Sequence, residues 1–255
     1  MAKGRAGGGR GGRPRRDAPT RRTAKPKGSP PAGKATAGRQ QRTPKPSPGP
    51  APAPPGSEPA GPFRLGAIPG ATPGKWIDTW HERMPRTALE LVALAVADQR
   101  RALVEGEVDA ALVRLPIDKD GLNVIPLYDE VPVVVCARDS HLTVAEELDA
   151  ADLDGEVLIV PLDDVLGVEI AGTVRPAFAA PADTAEAIAT VAAGVGIVVV
   201  PMSLARLHQR KDTEYRPLHG GPASTVALAW VPDRTTAEVD SFVGIVRGRT
   251  ANSSR

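Results

Sequence analysis

Residues 191–203, VAAGVGIVVVPMS, join the end of a small-residue helix directly to an apolar strand. Gly194 can adopt the left-handed conformation that ends a helix, and Gly196 allows two backbones to approach closely. Residues 197–200 include no polar side chain, which is typical of a strand buried on both faces, and Pro201 then blocks further pairing. Such a strand belongs to a sheet covered by helices, so the stretch predicts an α/β fold.

Upstream of this stretch, strands and helices alternate. Residues 63–70 predict a strand, and residues 71–85 a helix that has one apolar face and ends at Pro85. Residues 87–95 and 108–116 predict two further strands, with a second helix between them. Because parallel neighbours require such crossover helices, the βαβαβ order predicts a parallel sheet.

The pattern changes in the middle of the chain. Residues 122–139 are extended for most of their length, which predicts a passage from one lobe into another. Strands are predicted at 157–160 and, more weakly, at 172–180, and Asp183 and Glu186 predict the capping box of a helix that ends at Gly194. We expect the chain to return to the first lobe through residues 194–201, and then to form a helix, a strand and a last helix. Two crossings predict two lobes with a cleft between them.

Charge divides the sequence into two unlike parts. Residues 1–62 hold fourteen Lys and Arg against Asp17 and Glu58, with no aliphatic side chain larger than alanine after Met1. This part has too little apolar surface to bury to offset the entropy lost when its backbone is ordered, so we predict a disordered basic tail. The remaining residues hold eighteen basic and twenty-eight acidic side chains, so the net charge of +2 conceals a strong polarity.

Cysteine usage and hydropathy indicate the compartment. Cys136 is the single cysteine, which excludes an intramolecular disulfide and predicts a small buried apolar side chain. No apolar run approaches the roughly 20 residues that cross a bilayer, and the amino end lacks the apolar stretch of a secretory signal. These features predict a cytoplasmic protein, associated with the nucleoid if its tail binds DNA, and no membrane partner.

Three segments, in this order and spacing, resemble the effector-binding domain of LysR-type transcriptional regulators. Residues 89–116 resemble the family's second strand, helix and third strand, residues 127–142 its crossover segment, and residues 192–201 its return crossover. The resemblance implies a type 2 periplasmic-binding-protein-like fold with two Rossmann-like lobes, a small-molecule effector between them and a homodimer formed through lobe I. We expect lobe I to comprise residues 63–136 and 200–248, lobe II residues 137–199, and residues 249–255 to be a flexible terminus.

The chain departs from the family pattern in three respects. The basic tail occupies the position where the family has a winged helix-turn-helix, so no major-groove reader is predicted. Gly70 and Val96 stand where the family often has hydroxyl residues that hold an anionic effector, although Thr72 is close. The second lobe is short. The predicted ligand-binding residues are Gly70, Ala71, Thr72, Val96, Arg114, Leu162, Asp163 and Thr184.

Some of these residues have two interpretations. Arg114 lies at the carboxyl end of the third predicted strand, where open α/β sheets bind ligands, so it either pairs with an anion or forms a surface salt bridge with Asp118 or Asp163. Trp76 and Trp80 either line a ligand or dimer surface or, as we favour, pack in the core under the first helix.

The tail places Arg and Lys beside Gly and Pro, a composition suited to following phosphates or entering a minor groove. The alternatives are a solvated tail and one that contacts its own acidic domain. The predicted nucleic-acid-binding residues are Arg10, Arg13, Arg15, Arg16, Arg21 and Arg22.

No motif supports catalysis, a cofactor or a metal. GSPPAGKA, residues 28–35, matches a phosphate-binding loop but lacks the final hydroxyl and the flanking strand and helix, and the four histidines have no metal-ligand spacing. We therefore predict a LysR-like effector-binding protein that acts in transcriptional regulation and contacts DNA non-specifically through its tail, and not an enzyme. The alternative is a cytoplasmic small-molecule binding module with no DNA role.

Overall fold

The computed structural model describes residues 61–248, which all belong to one compact unit, Pro55–Arg255. The predictions for the tail and for residues 249–255 lie outside the described residues. The strands are β1 (Phe63–Ala67), β2 (Leu89–Ala93), β3 (Ala110–Arg114), β4 (Asn123–Glu130), β5 (Pro132–Ala137), β6 (Val198–Pro201), β7 (Thr213–Pro217) and β8 (Ser224–Trp230). The helices are α1 (Gly74–Arg83), α2 (Gln99–Val104), α3 (Thr184–Ala192), α4 (Met202–Leu207) and α5 (Ala237–Val246).

The first sheet has the strand order β2-β1-β3-β8-β4. β1 pairs in parallel with both β2 and β3, which confirms the parallel βαβαβ arrangement. β8 then pairs antiparallel with β3 and β4, and closes this half of the molecule.

An aromatic cluster forms the core under α1. The ring of Trp80 stacks on Phe63 with centroids 4.7 Å apart, and Phe242 of α5 packs against both rings. The Trp80 indole N–H donates to the carbonyl of Thr87 at 3.0 Å, so the buried ring leaves no polar atom unpaired. Trp76 is half-buried against the same cluster. Core packing, the favoured interpretation of both tryptophans, is confirmed.

The second sheet is smaller, with the antiparallel order β6-β5-β7. Extended chain at 157–160 and near Val174 was predicted as strand, but it contributes only isolated bridges, Val157 to Val174 and Leu158 to Ile197. β7, with the sequence TEYRP, was not predicted, because it is mostly polar and its residues become a strand only by pairing with β5.

The chain crosses between the sheets twice, as predicted, but the second crossing lies elsewhere. The chain leaves the first sheet at Val131, between β4 and β5, and returns to it through residues 218–223, between β7 and β8. The expected return through residues 194–201 is wrong, because β6 pairs with β5 inside the second sheet. We therefore propose lobe limits of 61–130 with 224–248 for lobe I and 131–223 for lobe II, in place of the expected 63–136 with 200–248 and 137–199.

The local geometry of the helix-to-strand junction agrees with the sequence interpretation. Gly194 has φ +78° and ends the helix, and β6 is buried along its whole length. A Cβ atom at Gly196 would overlap the carbonyl oxygen of Val157 and lie 2.9 Å from that residue's Cβ, so the two backbones approach as predicted.

The first turn of α3 carries two carboxylate caps. Asp183 accepts the N–H of Glu186 at 2.8 Å, whereas the Glu186 carboxylate accepts from Ala182 rather than from Asp183. The N-terminal cap is thus confirmed. The reciprocal hydrogen bond to Glu186 comes from the N–H of Ala182, one residue before the N–H that a capping box uses.

Candidate functional site

A cavity of about 600 Å³ lies between the two lobes. Lobe I contributes the chain that follows β1 and β2, at the carboxyl end of the parallel strands, where open α/β sheets bind ligands. Lobe II contributes the loop after residue 160, the first turn of α3 and one side of α4. The lining residues are Pro69, Ala95, Val96, Ala97, Leu162, Asp163, Asp164, Val165, Ala182, Asp183, Thr184, Ala185, Leu204, Leu207 and His208.

A second cavity, of about 590 Å³, lies on the other side of α4 and meets the first at Leu207. It is bounded by the turn after β1, by the end of β4 and by α4. Its lining residues are Gly70, Ala71, Thr72, Tyr128, Asp129, Glu130, Val131, Met202, Ser203, Arg206 and Leu207. Burial and the nearby Glu130 carboxylate raise the pKa of the Tyr128 hydroxyl, while Arg114 opposes them.

The predicted ligand-binding residues are divided between these cavities. Val96, Leu162, Asp163 and Thr184 line the first cavity, and Gly70, Ala71 and Thr72 line the second. Thr184 is buried and donates its hydroxyl hydrogen to Asp163 at 2.9 Å, so these two side chains hold each other. Arg114 lines neither cavity.

The position of α4 beside the cleft is what the sequence did not predict. It lies between the two cavities: Leu204 and Leu207, with His208 directly after the helix, line the first, and Met202, Ser203, Arg206 and Leu207 line the second. The apolar spacing of residues 201–210 predicts the helix, but the expected return crossing at 194–201 would place it in lobe I. No local signal places this short helix beside the cleft, because its position depends on the pairing of β6 with β5.

Arg114 is a buried ion-pair partner rather than a surface or cleft residue. Its Nη1 donates to Glu130 Oε2 at 2.7 Å and to the Ser224 hydroxyl at 2.5 Å, and its side chain is 1% exposed. Neither predicted salt-bridge partner is used, since Asp118 pairs with Arg100 and Asp163 accepts from Thr184. Within the described residues, Nε and Nη2 of Arg114 have no hydrogen-bond partner.

The Glu130 carboxylate joins the two lobes. Oε2 accepts from Arg114 in lobe I and also from the Ser203 hydroxyl in α4 at 2.9 Å. Glu130 is the last residue of β4, immediately before the outgoing crossing, and it pairs with Ser224, the first residue after the returning one. The network therefore lies beside both connections between the lobes.

The single cysteine of the chain, Cys136, is buried. Burial raises the pKa of the Cys136 thiol, which disfavours the reactive thiolate. Among the described residues, no group of His, Cys, Asp and Glu is arranged to hold a metal ion, and no helix is long and apolar enough to cross a bilayer.

Comparison with protein families and curated sequences is consistent with this geometry. A family model described as the LysR substrate binding domain matches residues 56–251. The Hca operon transcriptional activator HcaR of Escherichia coli (strain K12) is 27% identical over 202 residues, which cover 74% of this chain and 68% of HcaR. Alignments with two further curated regulators cover 39% and 56% of their lengths.

Solved structures show the same architecture. The structure of the oxidized form of OxyR matches with a TM-score of 0.60 and 23% identity, covering 77% of this chain and 99% of that one. The BenM effector binding domain with its effector benzoate matches with a TM-score of 0.59 and 21% identity, covering 73% and 90%. The chain therefore has the type 2 periplasmic-binding-protein-like fold.

Proposed function

The chain belongs to the LysR substrate-binding domain family, and from this premise we propose that it binds a small-molecule effector in the first cavity and acts in transcriptional regulation. The observation that carries the proposal is the apolar lining of this interlobe cavity. Leu162 and Leu207 are 76% and 55% exposed there, and a ligand with an apolar body would remove both side chains from water.

Binding would be transmitted by a change in the angle between the lobes. Within residues 61–248 the backbone passes between the lobes only at Val131 and at residues 218–223, so a ligand that contacts both walls stabilises the closed arrangement over the open one. The shift is limited to the difference in affinity between the two states.

A metabolite screen by thermal denaturation tests the effector proposal. A compound present at about 100 times its dissociation constant stabilises the folded state by about 2.7 kcal/mol, which raises Tm by about 5 °C or more for a domain of this size. Ala97→Trp places an indole in the cavity and should abolish the shift. Ala150→Trp, at an exposed alanine that lines neither interlobe cavity, should leave it intact.

Two outcomes count against the proposal. It fails if no compound in a broad screen stabilises the protein. It also fails if a stabilising compound acts equally on the Ala97→Trp variant.

We also propose that the basic tail contacts DNA without sequence choice. Replacing Arg10, Arg13, Arg15, Arg16, Arg21 and Arg22 by glutamine should weaken binding and reduce the slope of log K against log salt by about 5 for duplex DNA, if all six contact phosphates. Electrophoretic mobility shift at several salt concentrations measures this slope. Substituting lysine at the same positions retains the charge and should retain the slope.

If the full chain and the glutamine variant bind DNA equally, or neither binds, the tail proposal is withdrawn. A chain that binds an effector but no DNA would be the small-molecule binding module of the alternative hypothesis. Action on DNA would place the protein in the cytoplasm.

The proposed homodimer would form through lobe I. β2 is one of the two outer strands of the first sheet, and its central Leu91 is 50% exposed, so this edge offers both backbone groups and an apolar side chain. Sedimentation equilibrium decides this point, and a monomer at micromolar concentration would contradict it.

A further inference from the structure

The ionisable side chains around the first cavity are predominantly acidic. Asp163, Asp164 and Asp183 line it, and among the described residues that line it His208 is the only one whose side chain can carry a positive charge. The second cavity adds Asp129 and Glu130 against Arg206. An anionic effector would meet more like charge than opposite charge on these walls.

The carboxylates differ in how much hydrogen-bonding capacity they have left. Both oxygens of Asp164 accept backbone N–H groups, from Leu166 at 3.0 Å and from Gly167 at 2.9 Å. Asp163 and Asp183 each accept through Oδ1 only, and in the part of the chain that the structure describes their Oδ2 atoms have no partner. Both residues are exposed, so each can accept a hydrogen bond from a ligand.

The groups that ordinarily attract an anion already bind carboxylates of the chain itself. The first turn of α3 faces the cavity, but Asp183 and Glu186 cap it with carboxylates of the chain itself. The buried guanidinium of Arg114 pairs with Glu130 and lines neither cavity. Gly70 and Val96 provide no hydroxyl at the ends of β1 and β2.

The charge of the whole second lobe acts in the same direction. Residues 131–223, the proposed lobe II, hold fourteen Asp and Glu against six Lys and Arg. A cleft lined by one sign of charge concentrates ligands of the opposite sign, and low-dielectric walls strengthen this effect.

Building on the proposed effector function, we propose that the first cavity selects a ligand with an apolar body and a positively charged nitrogen group, of the amine or amidinium class, rather than a carboxylate. Leu162, Leu207 and Val96 would cover the apolar body. The free oxygens of Asp163 and Asp183 would accept the N–H donors in charge-assisted hydrogen bonds.

Benzamidine, benzamide and benzoate test this inference, because they share one ring and differ in the charge of a planar substituent. We expect calorimetric titration of the full chain to show benzamidine binding about tenfold to hundredfold more tightly than benzoate, with benzamide between them. The Asp163→Asn, Asp183→Asn double variant retains hydrogen-bonding side chains, including an N-terminal cap at 183, and should reduce this preference to less than about threefold. Glu147→Gln, at an exposed position that lines neither cavity, should leave it unchanged.

Equal or tighter binding of benzoate overturns the inference, as does an unchanged preference in the asparagine variant. Failure of all three probes to bind at millimolar concentration also overturns it. None of these results decides the proposed function, which is tested by the metabolite screen. A carboxylate found in that screen to bind in the cleft would sustain the effector proposal and reject the amine class.

Discussion

Replacing Glu130 by alanine is expected to lower the free energy of unfolding by about 3–5 kcal/mol. The substitution leaves the Arg114 guanidinium buried without its carboxylate, when two of its nitrogens already lack a partner in the described structure. Burying a charge without a partner is unfavourable. In the variant the desolvation free energy of Arg114 is no longer offset by attraction to Glu130. Urea denaturation followed by circular dichroism measures the loss.

Two comparisons isolate the buried pair. Arg138→Ala removes an exposed ion pair with Glu214 and should cost less than about 1 kcal/mol. Combining Arg114→Met with Glu130→Gln removes both charges, so the double variant should be more stable than Glu130→Ala. A loss below about 1 kcal/mol for Glu130→Ala would show that water or a rearranged neighbour satisfies Arg114.

The second large effect is expected at Gly196. Gly196→Ala should destabilise the fold by about 3 kcal/mol, at the upper end of the range for adding one carbon to a packed interior. The obstacle is the Val157 backbone, which is held by the hydrogen bond from the Ile197 N–H to the Val157 carbonyl at 2.9 Å. Backbone cannot change rotamer to make room, so the strain must separate residue 157 from β6 or shift both.

Gly244→Ala is the matched control for that prediction. Gly244 lies inside α5, and a Cβ there would meet nothing within 4 Å. Alanine has the higher helix propensity, so the change should stabilise the fold by about 0.5–1 kcal/mol. If Gly196→Ala is neutral under the same denaturation conditions, the close approach of the two backbones is not required.

The elements that sequence analysis predicted correctly are those with local causes. The helix that became α3 is defined by an N-terminal cap at Asp183, an apolar spacing and Gly194, all within twelve residues. β6 was recognisable because four consecutive apolar residues have no other favourable environment. The order of such segments also carried the resemblance to the LysR family, which the family match confirms.

The errors concern partners that are distant in the chain. β7 is a strand only because it pairs with β5, and its own sequence, TEYRP, lacks the alternation of apolar and polar residues typical of a strand. Arg114 was correctly placed at the end of β3, but its partners are 16 and 110 residues away, and its burial was not predicted. The predicted cleft residues were divided between two cavities because the position of α4 follows from that of β6.

The sequence by itself determined the α/β class, the approximate positions of most helices and strands, the existence of two crossings and the division of the charges into a basic segment, residues 1–62, and an acidic remainder. These depend on side-chain periodicity, capping and composition within short windows. Only the tertiary structure decided where the chain returns to the first sheet, which charges meet at the crossing and which walls enclose the cavities. The physical reason is that sheet pairing and burial join residues across long separations, where each strand has several apolar partners available and packing of the whole unit selects among them.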